Sequence, residues 1–173
     1  MYQGMHMKTF LHRHQTGQGI RLAVKAGLGG AVAIAIVALL SESSGVPWLM
    51  IPFGASCVLL FSVPESSLSQ PINVIGGHVV STLIGLVILQ VLPVTWWSLA
   101  LGVGLAIGVM AALRITHPPA GADPLVVMTA GVGFDFLLFP TLTGALVLVA
   151  VAVVFHRIAP KTQYPRRILG DFS

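Results

Sequence analysis

The sequence predicts an all-α membrane protein built as two related halves, each of three hydrophobic segments with a short broken or half helix in the middle. Three observations carry that expectation. Hydrophobic residues make up 55% of the 173-residue chain and charged residues only 8%, far below the share in an ordinary soluble domain. Between Ala26 and His156 the charged side chains are Glu42, Glu65, Arg114, Asp123 and Asp135, too few to cover a soluble fold of this size. The third observation is a motif repeated at equivalent places in the two halves, described below.

Residues 1–19 form a polar, basic, His-rich tail without apolar periodicity. The first helix is expected over Ile20–Leu40, enough to cross about 30 Å of hydrocarbon at about 1.5 Å per residue, with Ser41–Gly45 ending it. A basic start before an apolar run resembles a signal peptide, but Ser41-Glu42-Ser43-Ser44 lacks a small-x-small cleavage site, so the segment reads as a retained helix. In the second run, Val46–Val63, Pro47 and Pro52 break the early part and a helix starts near Pro52. Pro64–Pro71 is a polar turn. Asn73–Val91 is a spanning helix that holds His78, Ser81 and Thr82, and Pro93 stops it. Trp96-Trp97 anchors the next helix, Trp97–Leu113, at an interface. Arg114–Pro124 is irregular, a short helix follows over Ala120–Ala130, and the last helix runs from Pro140 to Phe155. The body is one transmembrane domain, 20–157, with pseudo-repeats over about 20–91 and 92–157, followed by a basic tail, 158–173.

Pro52-Phe53-Gly54-Ala55-Ser56 returns 67 positions later as Pro119-Ala120-Gly121-Ala122-Asp123, and Gly77 aligns with Gly144 at the same offset. Each copy of P-x-G-A-[SD] lies in the middle segment of its half, the mark of an internal repeat. Proline suits a first helical turn, glycine lets backbones approach, and Ser or Asp caps free amides. Two such starts entering from opposite faces would aim positive helix ends at a common midplane site, as in transporters with inverted repeats. The alternative reading is that both are tight packing devices.

Lys8, Arg13, Arg21 and Lys25 precede the first helix, and Arg157, Lys161, Arg166 and Arg167 follow the last. Both termini are therefore expected in the cytoplasm, which requires an even number of crossings. Six crossings put Arg114 on the same inner side, whereas four with re-entrant short segments put it outside, so six is preferred. The net charge of +4 fits anionic headgroups beside the helices better than nucleic acid. Cys57 is the only cysteine, so no disulfide forms within the chain.

Thr116-His117-Pro118-Pro119-Ala120-Gly121-Ala122-Asp123-Pro124, together with Pro52–Ser56 and Gln70-Pro71-x-Asn73-x-Ile75-Gly76-Gly77-His78, resembles the HPP family of integral membrane proteins over about Lys25–Phe155. The resemblance implies a bacterial or plastid-type membrane protein, and members have been linked to nitrite transport. It also implies four transmembrane helices as the family is commonly described, with the two short segments as re-entrant or half helices.

Ionisable residues inside a membrane are costly and mark sites. The candidate substrate-binding residues are Pro52, Gly54, Ser56, Asn73, His78, Arg114, His117, Gly121 and Asp123. Arg114 and the amides near Gly54 and Gly121 would attract an anion, Asn73 and Ser56 would line its site, and His117 and His78 would couple protons. Asp123 would have to be protonated or paired, with Arg114 or His117 as the expected partner. The plainer alternatives are an anchoring arginine, a capping aspartate and histidines that satisfy backbone or neighbouring helices. The expected function is a transporter or channel for a small inorganic anion, against a non-transporting scaffold or, less favoured, an intramembrane enzyme, for which no nucleophile is apparent. No metal, cofactor or nucleic acid is expected. No cysteine or acidic residue lies near His6, His12 and His14 in the sequence, and no nucleotide-binding loop is present. Glycines in Gly27-x-Gly29-Gly30 and Gly102-x-Gly104-x-x-x-Gly108 serve helix packing or self-association, and a homo-oligomer in a bacterial inner membrane is expected.

Overall fold

Proline opens the helices that begin at Pro52 and Pro71, and glycine closes those that end at Gly45 and Gly131. The computed structural model describes residues 12, 17–158 and 160–166. Most of the 1–19 tail, with His6 and His14, and the chain from 167 onward lie outside the described residues. Among the described residues there are six α-helices and no strand: α1 (Ile20–Ser44), α2 (Pro52–Ser62), α3 (Pro71–Val91), α4 (Trp96–Ala112), α5 (Asp123–Ala130) and α6 (Thr143–Phe155). Short 3-10 helices occupy Ser67–Ser69 and Pro118–Ala122, and a π-helical turn, Leu137–Leu142, leads into α6. Three stretches are long and apolar enough to cross a membrane: Ile20–Ser44, Pro71–Val91 and Leu137–Phe155.

Differences from the sequence expectation are local. Helix α1 runs on through Glu42-Ser43-Ser44 and stops at Gly45, whose φ of 68° closes the helix in the left-handed region. Serine and glutamate at an exposed helix end are tolerated, and glycine supplies the stop. The short helix expected from Ala120 opens as 3-10 over Pro118–Ala122 and becomes α-helical only at Asp123. Phe139, with φ −126° and ψ 117°, breaks the approach to α6 beside Pro140, because proline has no N–H for the ladder. At the end of α4, Arg114 N–H bonds to Ala111 O (3.1 Å) and Ile115 N–H to Met110 O (3.0 Å). This is the Schellman pattern with arginine at the position glycine normally takes, and Arg114 has φ 58°.

One end of the molecule collects the basic residues. Gln18 Nε2 donates to Ser62 O (2.5 Å), so the start of α1 lies beside the end of α2. His156, past α6, bonds to Leu60 O (2.8 Å). Lys25 donates to Ile158 O (3.1 Å) and to Pro160 O. Tyr164 donates to Ser69 O (3.0 Å), so the start of α3 is there too; burial pushes the phenol pKa up and keeps the donor in place. Helix α2 has 11 residues and is about 16 Å long. Running to the basic end, it covers about half the thickness of a hydrocarbon core. The second broken segment runs beside α3: Asn73 meets Thr116, His78 meets Asp123, Ser81 meets Ala120, and Gly85 lies against Pro124 and Val127.

Two apolar clusters result. Ala33 and Val37 of α1, Phe53, Cys57, Leu60 and Phe61 of α2, and Ala145, Leu148, Val149 and Ala152 of α6 form one. Leu86 and Ile88 of α3 with Val127 and Met128 of α5 form the other, and Leu99 of α4 packs on it. Both depend on glycines at close approaches. A Cβ on Gly144 would lie 2.7 Å from Trp48 O and overlap the Phe53 ring, and one on Gly85 would lie 2.7 Å from Pro124 Cα. Gly29 serves inside the fold against Phe61 and Phe155, and Gly102 against Met128 and Pro124, whereas Gly104 and Gly108 face open space.

Backbone atoms cannot yield as side-chain ends do, so Gly85→Ala and Gly144→Ala are each expected to cost about 1–3 kcal/mol through overpacking. Gly104→Ala, with nothing within 4 Å of its new methyl group, is expected to gain about 0.5–1 kcal/mol from helix propensity. Thermal aggregation of the three variants in mild detergent, followed by size-exclusion chromatography, checks the opposite signs.

Candidate functional site

The two apolar clusters leave between them a polar seam where both broken segments meet. Its members come from four places: Ser56 in the first half of α2, His78 and Thr82 on α3, His117 just before the second 3-10 helix, and Asp123 opening α5. Ser56, His78, His117 and Asp123 all have 0% exposure. In hydrocarbon such groups must satisfy one another.

They form a continuous chain. His117 Nδ1 lies 2.8 Å from Leu68 O. His117 Nε2 is 2.8 Å from Ser56 Oγ, and Ser56 Oγ is 2.8 Å from His78 Nε2. His78 Nδ1 is 2.8 Å from Asp123 Oδ2. Thr82 Oγ1 donates to the same carboxylate oxygen at 3.3 Å and lies 3.3 Å from Thr141 Oγ1. Thr141 Oγ1 is 3.5 Å from Met50 Sδ. Asp123 Oδ1 is buried without a hydrogen-bond partner.

Local structure explains how each group is held. Pro52 starts α2 inside the apolar body, and Ser56, one turn on, is 3.3 Å from Pro52 O, its i−4 carbonyl. Phe53 meets the His78 ring edge-on at 5.2 Å between centroids, and the two imidazoles are 5.0 Å apart. Gly77 makes room for the second broken segment, since a Cβ there would come within 2.7 Å of His117 Cβ. Asn73 Nδ2 fixes Thr116 O at 3.0 Å, and Ser81 Oγ fixes Ala120 O at 2.5 Å, so α3 supports the segment carrying His117 from both sides.

Of the residues singled out from sequence, Pro52, Ser56, His78, His117 and Asp123 come together, and Asn73 braces them. Gly121 is half-buried beside them. Gly54 is exposed, and its N–H already donates to Ile51 O at 3.2 Å. Phe53 N–H and Ala120 N–H likewise donate to Met50 O and His117 O, both at 3.0 Å, so three amides at the helix starts are engaged by backbone. Arg114 is exposed and outside the chain. The partner of Asp123 is His78, not Arg114 or His117. The sequence marks Ser81 and Thr82 only as polar residues of the spanning helix, not as site residues, and does not mark Thr141. Ser81 and Thr82 had a readable signal, lying three and four residues beyond His78 on one helix face; Thr141 had none, because it is joined to the seam only by folding.

The order Asp123–His78–Ser56 matches the carboxylate–imidazole–hydroxyl order of a hydrolytic triad. Here the hydroxyl has a second imidazole on its far side and is shut off from solvent. Such a chain can hold a proton and pass it between groups without water.

Residues 15–165 match the HPP family, transmembrane region. A Dictyostelium discoideum protein described as a transmembrane protein is 40% identical over 122 residues, 65% of this chain and 42% of its own length. A second transmembrane protein from that organism is 35% identical over 150 residues, 80% of this chain and 48% of its own. The chain thus spans under half the length of these curated relatives. No solved structure matches. The match covers nearly the whole described body, including the seam and both broken helices, and the chain belongs to the HPP transmembrane family.

Proposed function

We propose that the protein is a proton-coupled transporter of a small inorganic anion, with nitrite favoured by the family resemblance. The observation that carries this reading is the buried Asp123–His78–Ser56–His117 chain. Ionisable groups are retained in hydrocarbon at a cost and are typical of proton relays in membrane carriers. A scaffold would gain the same packing more cheaply from apolar side chains.

The architecture is read here as two halves of inverted topology. Helix α2 packs with α1 and α6, and α5 with α3 and α4, so each half helix lies between the first helix of its own half and the third of the other. The glycines aligned by the repeat follow the same exchange. Gly77 accommodates His117, and Gly144 accommodates Trp48 and Phe53. Read this way, each middle segment crosses as an extended stretch plus a half helix. Six crossings then bring Arg114 to the basic end, which the positive-inside bias makes cytoplasmic. Arg114 would serve as a cation at the entrance. In this reading the protein assembles as a homo-oligomer.

A second reading, an intramembrane serine hydrolase, is favoured specifically by the Asp123–His78–Ser56 geometry. It requires Ser56 to become reachable by substrate.

Purified protein in sealed liposomes, offered nitrite, nitrate, formate and chloride with and without a pH gradient, separates these readings. Saturable uptake of one anion, accelerated by the gradient and reduced at least tenfold in folded His78→Gln and Asp123→Asn variants, is the expected outcome. No uptake by folded, inserted protein favours a scaffold, and labelling of Ser56 by a fluorophosphonate probe favours the hydrolase.

Arg114→Gly is expected to fold at least as well as the parent, because glycine relieves a left-handed conformation that costs an L-residue about 1–2 kcal/mol. Its uptake is expected to fall most at low ionic strength, where a single entrance charge is least screened. Initial rates at two salt concentrations check this.

A further inference from the structure

The seam fixes its own proton count. A 2.8 Å contact between two buried acceptors requires a hydrogen between them, because two facing lone pairs repel and no third group fits between atoms so close. Four such contacts run from Leu68 O through His117, Ser56 and His78 to Asp123, each at 2.8 Å. Leu68 O can only accept, so His117 Nδ1 carries a hydrogen. Two neutral imidazoles and one hydroxyl supply three hydrogens in all. The fourth is an additional proton, which makes the set of Asp123, His78 and His117 neutral overall.

That proton has two placements. In one, it is shared by His78 and Asp123; His78 Nε2–H donates to Ser56 Oγ and Ser56 donates to His117 Nε2. In the other, His117 is the imidazolium; it donates to Ser56, Ser56 donates to His78 Nε2, and His78 Nδ1–H donates to ionised Asp123. They interconvert when His78 Nε2 gives its proton to Ser56 Oγ as Ser56 gives its own to His117 Nε2. Two protons shift one bond each, and one positive charge moves from His78 to His117. Ser56 has a third partner, Pro52 O, at 3.3 Å. If a second proton arrives and both imidazoles are charged, Ser56 turns its O–H to Pro52 O and accepts from both rings. The set then carries one positive charge, which is costly in hydrocarbon unless an anion enters with the proton.

We infer that the seam keeps one resident proton and takes up a second only together with a monovalent anion, so that proton and anion move one for one without net charge. This rests on the transport reading above. Among the described residues Asp123, His78 and His117 are the ionisable groups bonded into the chain. The neighbours from α3 are Thr82, Ser81 and Asn73, Thr141 comes from the π-helical turn, and Phe53 from α2. Cys57, next along α2, packs in the apolar cluster on the α1 side.

Nitrogen NMR of the imidazoles in protein with His6, His12 and His14 replaced by Gln, the His156 signal being assigned by its loss in His156→Gln, with infrared detection of a carboxylic acid absent from Asp123→Asn, reads the proton count of His78, His117 and Asp123 without transport. One additional proton per chain at neutral pH, seen as an imidazolium at position 78 or 117 or as a protonated Asp123, is expected. Two neutral imidazoles beside an ionised carboxylate would overturn the count. In liposomes with the potential and the pH gradient set independently, anion uptake is expected to follow the pH gradient and to be unchanged by the potential. Uptake that follows the potential overturns the one-for-one coupling. A resident proton in a protein that moves no anion would instead sink the transport reading and the coupling while leaving the count intact.

Discussion

Helices that begin inside an apolar body carry polar groups away from bulk water, and the arrangement of this protein follows from how that demand is met. Pro52 and Pro118-Pro119 each open a helix inside the apolar body, and each start carries a polar residue inward, Ser56 in one and Asp123 in the other. Within its own segment Ser56 reaches only the Pro52 carbonyl, at 3.3 Å. Its closer partners are imidazoles from α3 and from the other broken segment, and those of Asp123 Oδ2 are His78 and Thr82, both on α3. A change in the position of α3 would leave both starts unsatisfied at once. This makes α3 the reference element of the fold, and it explains why its buried face carries polar and small residues from Asn73 to Gly85.

Packing around the seam obeys the same logic. The broken segments must come close to whole helices for hydrogen bonds of 2.8 Å to form, and glycines at Gly77, Gly85 and Gly144 permit that approach. Larger side chains fill the remaining volume on either side: Phe53, Leu60 and Leu148 in one cluster, Leu86, Val127 and Met128 in the other. The seam is thus flanked on both sides by buried apolar side chains, a setting in which hydrogen bonds and charge placement carry more weight than in water. The basic residues take the opposite position. Lys25 holds the carbonyls of Ile158 and Pro160 at one end of the bundle, far along the chain from the buried acid.

Membrane class, helix order and the two broken segments were readable because each depends on local chemistry: long apolar runs, proline at a helix start, glycine or proline at a stop. The ends of α2 and α3 fell where those residues put them, whereas α1 outran the expected stop by a few serine and glutamate residues until Gly45 ended it. The intramembrane residues Ser56, His78, His117 and Asp123 stood out by their cost in lipid. Arg114 carried the same signal and Gly54 that of a helix start with free amides, but the structure puts both outside the seam, Gly54 with its amide engaged and Arg114 in an exposed turn.

Pairing was a different matter. The sequence by itself determined which residues would be expensive to bury and where helices would break, because burial cost and helix propensity are properties of a residue and its near neighbours. Tertiary structure alone decided that Asp123 meets His78 across 45 positions and that Ser56 meets His117 across 61. It also brought Thr141 beside Thr82. Those contacts depend on the order in which segments pack and on a few tenths of an ångström of clearance at glycines, and neither is written in any local pattern. The hydrogen-bonded seam consists of such distances, so it becomes visible only once the broken segments are packed against α3.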